Sequence, residues 1–193
     1  MRITGGELRN RQLKIPDGIR PSQDMVRQAV YSALAELVPG GRVLDLYAGS
    51  GALGLEAWSR GAAAVTWVEK DAKAFAVLKG NVDLLTGGAA EARCVRGESE
   101  RFLAAETGTF DLVLADPPYD QTRDGALLQK TLRALSARPM VRGGGVLVFE
   151  QGIAGAVAEY PGWRLVRNRT YGGTRVLIYV RDHAEHGDLP RDV

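Results

Sequence analysis

The sequence predicts an α/β domain on an open, mostly parallel sheet of seven strands. An antiparallel hairpin closes it at the C-terminal end, and a small basic hairpin or arm precedes it. Three observations predict this. Apolar runs alternate with segments of helical spacing from Val43 to Phe149, the rhythm of strand-helix units whose sheet is covered on both faces. One of those runs ends in a glycine turn, Asp45 to Gly51, that opens directly onto a helix. Then the rhythm changes: Trp163 to Asn168 and Arg175 to Val180 are strand-like runs joined by Tyr171-Gly172-Gly173, which reads as a hairpin.

Taken in order, residues 1–21 read as the arm. Gly5-Gly6 and the Asp17-Gly18 turn separate short segments such as Gln12 to Ile15, which suit a hairpin or extended strand outside the main sheet. Arg2, Arg9, Arg11, Lys14, Arg20 and Arg27 outnumber Glu7, Asp17 and Asp24 there, so the front of the chain is locally basic and could hold phosphates. The main domain is expected over residues 22–181. Ser22 is a candidate N-cap for a helix carrying Met25, Val26, Ala29, Val30, Ala33, Leu34 and Leu37 at three-and-four spacing, ended by Pro39-Gly40-Gly41. Strands are expected at Val43–Leu46, Val65–Val68, Ala92–Val95, Phe110–Ala115 and Gly145–Phe149. Helices are expected at Ala52–Arg60, Ala72–Leu85, Ser99–Ala105 and Leu127–Leu135. The tail, residues 182–193, is polar and expected to be disordered.

Composition narrows the function classes. A length of 193 residues suits one domain, and 45% hydrophobic with 25% charged residues is ordinary for a soluble globular protein. No apolar run approaches the ~20 residues of a membrane span, and no secretion leader is evident at Met1. With a single cysteine, Cys94, there is no disulfide framework, and the cytoplasm is the expected compartment. Both histidines, His183 and His186, fall at the end of the chain, so neither histidine catalysis nor a metal site is expected.

Gly49, Gly51 and Gly54 match the dinucleotide fingerprint literally, and Glu69 closes the next apolar run at the right distance for a ribose. Glycines at the turn permit a sharp bend and close approach of a ligand to the main chain, and Gly54 lets the helix sit tightly on its strand. Asp45 argues against a pyrophosphate, which needs helix-terminal N–H groups and no neighbouring anion. An acid before the glycines suits a cationic ligand, and S-adenosylmethionine carries both a sulfonium and an ammonium. A turn held by the Asp45 side chain through backbone bonding is the purely structural account.

The second chemical signal is Asp116-Pro117-Pro118-Tyr119, directly after the fourth strand. Ligand crevices of open α/β sheets lie beyond the carboxyl ends of the strands, so Asp116 should face the same cleft as Asp45. Two successive prolines stiffen the loop and remove two N–H donors, leaving acceptors to present. That suits an exocyclic amine whose N–H bonds are held by the Asp116 side chain and the Pro117 carbonyl. The nitrogen lone pair is then aimed for direct methyl transfer by positioning and electrostatics. Tyr119 offers a face on which a base can stack, and a nucleobase would have to be unstacked to enter.

These motifs together resemble the amino-methyltransferases that carry an (Asp/Asn)-Pro-Pro-(Tyr/Phe) loop. Arg2-Ile3 with Gly5-Gly6, Arg20-Pro21 and the helix Asp24 to Leu34 narrow the resemblance, over residues 2 to about 180, to the bacterial enzymes that methylate the N2 amine of a guanine in small-subunit (16S) ribosomal RNA. The resemblance implies a Rossmann-like fold, S-adenosylmethionine as cofactor and S-adenosylhomocysteine as product. It implies Asp116, Pro117, Pro118 and Tyr119 as the catalytic loop. Asp45 with Gly49, Ser50 and Gly51 would contact the methionine part, Glu69 the ribose and Glu98 with Ser99 the adenine; Tyr47, Ala48 and Lys70 complete the expected cofactor set. RNA would be held by Arg2, Arg9, Arg11, Lys14 and Arg20. A small-subunit assembly particle as substrate, a monomeric enzyme and no membrane partner are further expectations. Gly97-Glu98 stands where an aspartate is more usual in that family, and a helix-start acid is an ordinary account of Glu98. Two other readings use the same motifs: an adenine-N6 DNA methyltransferase, for whose target-recognition domain the chain has little room, and a non-catalytic RNA-binding or assembly module.

Overall fold

A computed structural model describes residues 1–16, 24–118 and 125–183. Seven strands form one sheet in the order β3-β2-β1-β4-β5-β7-β6. The strands are β1 (Arg42–Leu46), β2 (Ala64–Glu69), β3 (Ala92–Arg96), β4 (Phe110–Ala115), β5 (Val141–Gly152), β6 (Trp163–Tyr171) and β7 (Thr174–Arg181). The first five pair in parallel and β7 pairs antiparallel with both β5 and β6, so the expected fold class is the observed one. The helices are α1 (Asp24–Ala33), α2 (Ala52–Ser59), α3 (Ala72–Thr86), α4 (Ser99–Ala105) and α5 (Ala126–Ser136). No helix among the described residues is long and apolar enough to cross a membrane.

Strand alternation divides the core into two clusters. One face buries Val43, Val65, Leu112, Leu114, Val146 and Val148 against α1, α2 and α3. The other buries Leu44, Leu46, Val113, Leu147 and Phe149 against α4 and α5. Helix α2 is buried nearly all round, including Gly54, Glu56 and Ser59, because the N-terminal segment covers the side turned away from the sheet.

That segment is a hairpin in which Arg2 bridges Gln12 and Ile3 exchanges backbone hydrogen bonds with Asn10 and Arg11. Ile3 and Leu13 enter the core. The fully buried Glu56 carboxylate accepts from the N–H and hydroxyl of Thr4 and pairs with Arg60 at 2.7 Å. Buried Arg27 donates to the Arg2 carbonyl and to Asp24. Buried charges stay tolerable only when paired in this way, and here the pairing fastens the hairpin to α1 and α2.

Two elements depart from the sequence reading. The helical spacing predicts a helix reaching Leu37, but α1 ends at Ala33. Leu34 and Val38 are still buried, so the apolar spacing continues through a tighter last turn closed by Leu37 N–H and Val38 N–H donating to Leu34 O. Strand β5 extends beyond Gly145–Phe149 at both ends. Between Phe110 and Leu112 its register slips, taken up by Gly144 at φ +77°. A glycine run that reads as a break is therefore a bulge within a longer strand. Ser22, the expected cap of α1, lies outside the described residues, as does the tail beyond His183.

Candidate active site at the carboxyl ends of the strands

The glycine turn leaves β1 at Leu46 and enters α2 at Ala52. Tyr47, Gly49 and Gly51 all adopt positive φ, at 61°, 56° and 82°. Gly51 has a second constraint: a Cβ there would stand 2.5 Å from the Leu78 side chain, so its missing side chain makes room for α3 rather than for a ligand. A Cβ on Gly54 would meet the indole of Trp67 at 2.2 Å, the close packing of helix on strand that the sequence predicts.

Asp45 is 1% exposed. Its Oδ2 accepts from Gly54 N–H at 2.8 Å, while Oδ1 is buried without a hydrogen-bond partner. Burial pushes its carboxyl well above the usual range. The Gly54 N–H opposes that shift, and the negative charges of Asp116 and Glu69 add to it. Glu69, also buried, accepts from Gly49 N–H and from Asp71 N–H, both at 2.8 Å. It thereby ties the glycine turn to the start of α3, where the Asp71 side chain caps Lys73 N–H and Ala74 N–H.

Asp116 follows Ala115, which pairs with Leu46 on one side and Phe149 on the other. It is half-buried, with Pro117 buried and Pro118 exposed. Asp116 lies in a field shared with Asp45, so the two acids open onto the same end of the sheet. A third acid stands with them. Glu150, one residue beyond Phe149 in β5, is 2% exposed, and its Oε1 is buried without a partner. Burial raises its carboxyl well above the usual range; Asp116 and Asp45 add to that and Arg27 opposes it.

The outer cofactor positions are arranged differently. Tyr47 is half-buried, and burial, with the Glu100 charge adding, pushes its hydroxyl up to about 12 against hydrogen bonds to Thr131 and Ser99. The Ser99 side chain therefore stands beside the Tyr47 hydroxyl. Ala48 and Ser50 are buried. Glu98 is exposed and pairs with Arg101 at 3.8 Å. With exposed Lys70 it lines a groove of about 1220 Å³ along the free edge of β3, together with Gly97, Arg96 and Phe102. That groove includes none of Asp45, Glu69 or Asp116; it adjoins the strand-end cleft and is not the cleft itself. Tyr119 and Arg20 lie outside the described residues.

On the arm, Arg2, Arg9, Arg11 and Lys14 are exposed. Arg2 lies 3.8 Å from Asp24. The arm is fastened to the cofactor turn by Asn81, which accepts from Lys14 N–H and donates to the carbonyls of Lys14 and Ser50. Sequence reading missed Asn81, a polar residue within an amphipathic helix. It also missed Glu150, although an acid closes that apolar run just as Glu69 and Asp116 close theirs.

The arrangement has three parts: a glycine turn held by two buried acids, a stiff acceptor loop on the neighbouring strand, and excess negative charge between them. It suits a cationic ligand beside an amine donor. The orphaned Asp45 Oδ1 and the surplus of carboxylates fit the positively charged end of S-adenosylmethionine.

Comparison with known proteins agrees. The family model described as "Conserved hypothetical protein 95" matches residues 1–180. Ribosomal RNA small subunit methyltransferase D of Escherichia coli (strain K12) is 33% identical over 191 residues, spanning 97% of this chain and 93% of the relative. Bacillus subtilis YlbH is 35% identical over 94% and 99% of the two chains. The solved structure of Escherichia coli yhhF superimposes with a TM-score of 0.84 at 34% identity, covering 94% of this chain and 98% of that one. Matched along almost its whole length in sequence and in fold, the chain belongs to the conserved hypothetical protein 95 family, the family of the small-subunit ribosomal RNA methyltransferase D enzymes.

Proposed function

We propose that this protein transfers a methyl group from S-adenosylmethionine to the exocyclic N2 amine of a guanine in small-subunit (16S) ribosomal RNA, releasing S-adenosylhomocysteine. The observation that carries the reading is the juxtaposition of Asp116 with Asp45 across the β1–β4 pair, which sets an amine-accepting loop beside a turn suited to a cation. S-adenosylmethionine supplies the methyl on a positively charged sulfur. Asp45 and Gly49 to Gly51 face its methionine portion, and Glu69, which fixes Gly49, faces its ribose.

The Asp116 carboxylate and the Pro117 carbonyl accept the two N–H bonds of the guanine amine and hold the nitrogen in line with the methyl. Tyr119 stacks on the base once it is out of its helix. Arg9, Arg11 and Lys14, exposed on a hairpin that Asn81 ties to the cofactor turn, together with Arg2 and Arg20, hold phosphates near the target. A monomer working in the bacterial cytoplasm on an assembling small subunit fits this reading.

The test is to incubate labelled S-adenosylmethionine and the protein with small-subunit particles, naked 16S ribosomal RNA or duplex DNA, and to identify the modified nucleoside by mass spectrometry. N2-methylguanosine in the particles or the RNA is expected. N6-methyladenosine in DNA, or no transfer to any of the three, would overturn the assignment.

A further inference from the structure

The β6–β7 hairpin is the most basic stretch of the chain. Residues 163–181 hold five arginines and no acid, whereas the whole chain carries a net charge of only +2, so the remainder is net acidic. Two of the five are engaged locally. Arg175 donates to the Gly155 carbonyl, and Arg181 lies over the Trp163 ring and donates to Ser136. Arg164, Arg167 and Arg169 are exposed, and no ion pair to any of them occurs among the described residues.

Their alignment depends on one irregularity. Arg164 and Arg167 are three apart, and regular alternation would put them on opposite faces. The register slips between Leu165 and Arg167, which leaves Val166 as an extra residue. Before that bulge Arg164 pairs with Val180, and past it Arg167 pairs with Ile178 and Arg169 with Val176. All three partners belong to or pack on the same core cluster, so the three guanidinium groups rise from one face. A bulge commonly re-aims side chains in this way.

The face is the one that carries the chemistry. Val176 pairs with Arg169 on one side and with Glu150 on the other, and Glu150 shares its field with Asp116. Arg169 is therefore level with the reactive end of the sheet. It lies three strands from Asp116, about 14 Å at the usual ~4.8 Å strand spacing. The row descends from there along β6, the outermost strand of the sheet. Edge strands often carry charge to block strand addition, but that purpose does not require the charges to share a face.

We propose that Arg164, Arg167 and Arg169 form a phosphate-binding row that holds the sugar-phosphate backbone of the RNA strand leading into the cleft, separate from the N-terminal hairpin. Arg167 and Arg169 are two residues apart, about 6.8 Å along a strand. The row supplies sequence-independent affinity and orientation, while the choice of base is left to the cleft. The inference rests on RNA being the substrate.

The test measures binding of an unmodified 16S ribosomal RNA transcript between about 50 and 200 mM salt. It compares the wild-type protein, the triple variant Arg164→Gln/Arg167→Gln/Arg169→Gln, and the control Lys130→Gln/Arg133→Gln/Arg138→Gln. The control removes equal charge from exposed positions on and just after α5, which packs on the opposite face. Losing three phosphate contacts should flatten the slope of log affinity against log salt by about 2, at ~0.7 per contact on a single strand. Melting temperature and S-adenosylmethionine affinity should be unchanged. The control should keep the wild-type slope. An unaltered slope in the β6 variant, or an equal drop in both variants, would overturn the row while leaving the methyltransferase reading intact. A wild-type protein that neither binds nor methylates ribosomal RNA would end that reading and the row with it.

Discussion

Gly54→Ala tests how the cofactor turn is held. The added Cβ would lie 2.2 Å from Nε1 of Trp67, where ordinary contact begins at 3.4 Å, so the start of α2 must retreat by about 1.2 Å. The indole cannot readily yield instead, because it is fully buried and donates to Gly51 O at 3.2 Å. A retreat of that size breaks the 2.8 Å bond from Gly54 N–H to Asp45, at a cost of about 1 to 3 kcal/mol. Overpacking adds about 1 to 3 kcal/mol. Replacing a helical glycine by alanine returns only about 0.5 to 1 kcal/mol. At the middle of each range the balance is a loss of about 3 kcal/mol, or about 6 to 13 °C in melting temperature for a chain of this length. Because the displaced residues carry the glycine turn, affinity for S-adenosylmethionine should fall about 100-fold. Thermal melting and calorimetric titration read both quantities. A variant melting within about 2 °C of wild type and binding the cofactor within about twofold would refute the packing argument.

Other substitutions separate the roles assigned to the acids. Asp116→Ala should abolish methyl transfer while leaving cofactor affinity within a few-fold; full activity would end the amine-positioning hypothesis. Glu69→Ala removes the acceptor for both Gly49 and Asp71 and should weaken cofactor binding by about 10- to 100-fold, so an unchanged dissociation constant by calorimetry would refute its role. Glu150→Gln should stabilise the protein, and the sign follows from the raised carboxyl. A folded-state value above the unfolded ~4.3 means that ionisation opposes folding. The gain should be absent below about pH 4, widen as pH rises above the unfolded value while the folded carboxyl stays protonated, and level off once that carboxyl ionises; a pH-independent difference in melting temperature would contradict it.

Much of the architecture was legible because its causes are local. The helix α3 is readable from its apolar spacing, and the structure adds the Asp71 side chain that caps its start. The β6–β7 turn is readable from Gly172-Gly173, since a two-residue hairpin needs the left-handed conformation that Gly172 adopts. The end of α1 was not legible, because Leu34 and Val38 are buried whether or not the helix continues. Nor was the reach of β5, because a bulged glycine and a chain break have the same composition. Asp45 illustrates the limit at the site. Its position before the glycines marks it, but whether its carboxylate meets a ligand or Gly54 N–H depends on how closely α2 sits on β2.

By itself the sequence determined the order of strands and helices, the glycine turn and the stiff acceptor loop, since each rests on backbone preferences confined to a few residues. Only the tertiary structure decided that β4 lies beside β1 and β5 beside β4, which gathers Asp45, Asp116 and Glu150 at one end of the sheet. It alone decided that a single extra residue in β6 turns three arginines to that same face. Strand neighbours are chosen by packing among residues far apart in the chain, and a bulge by the register of both partners, so neither can be read along one segment.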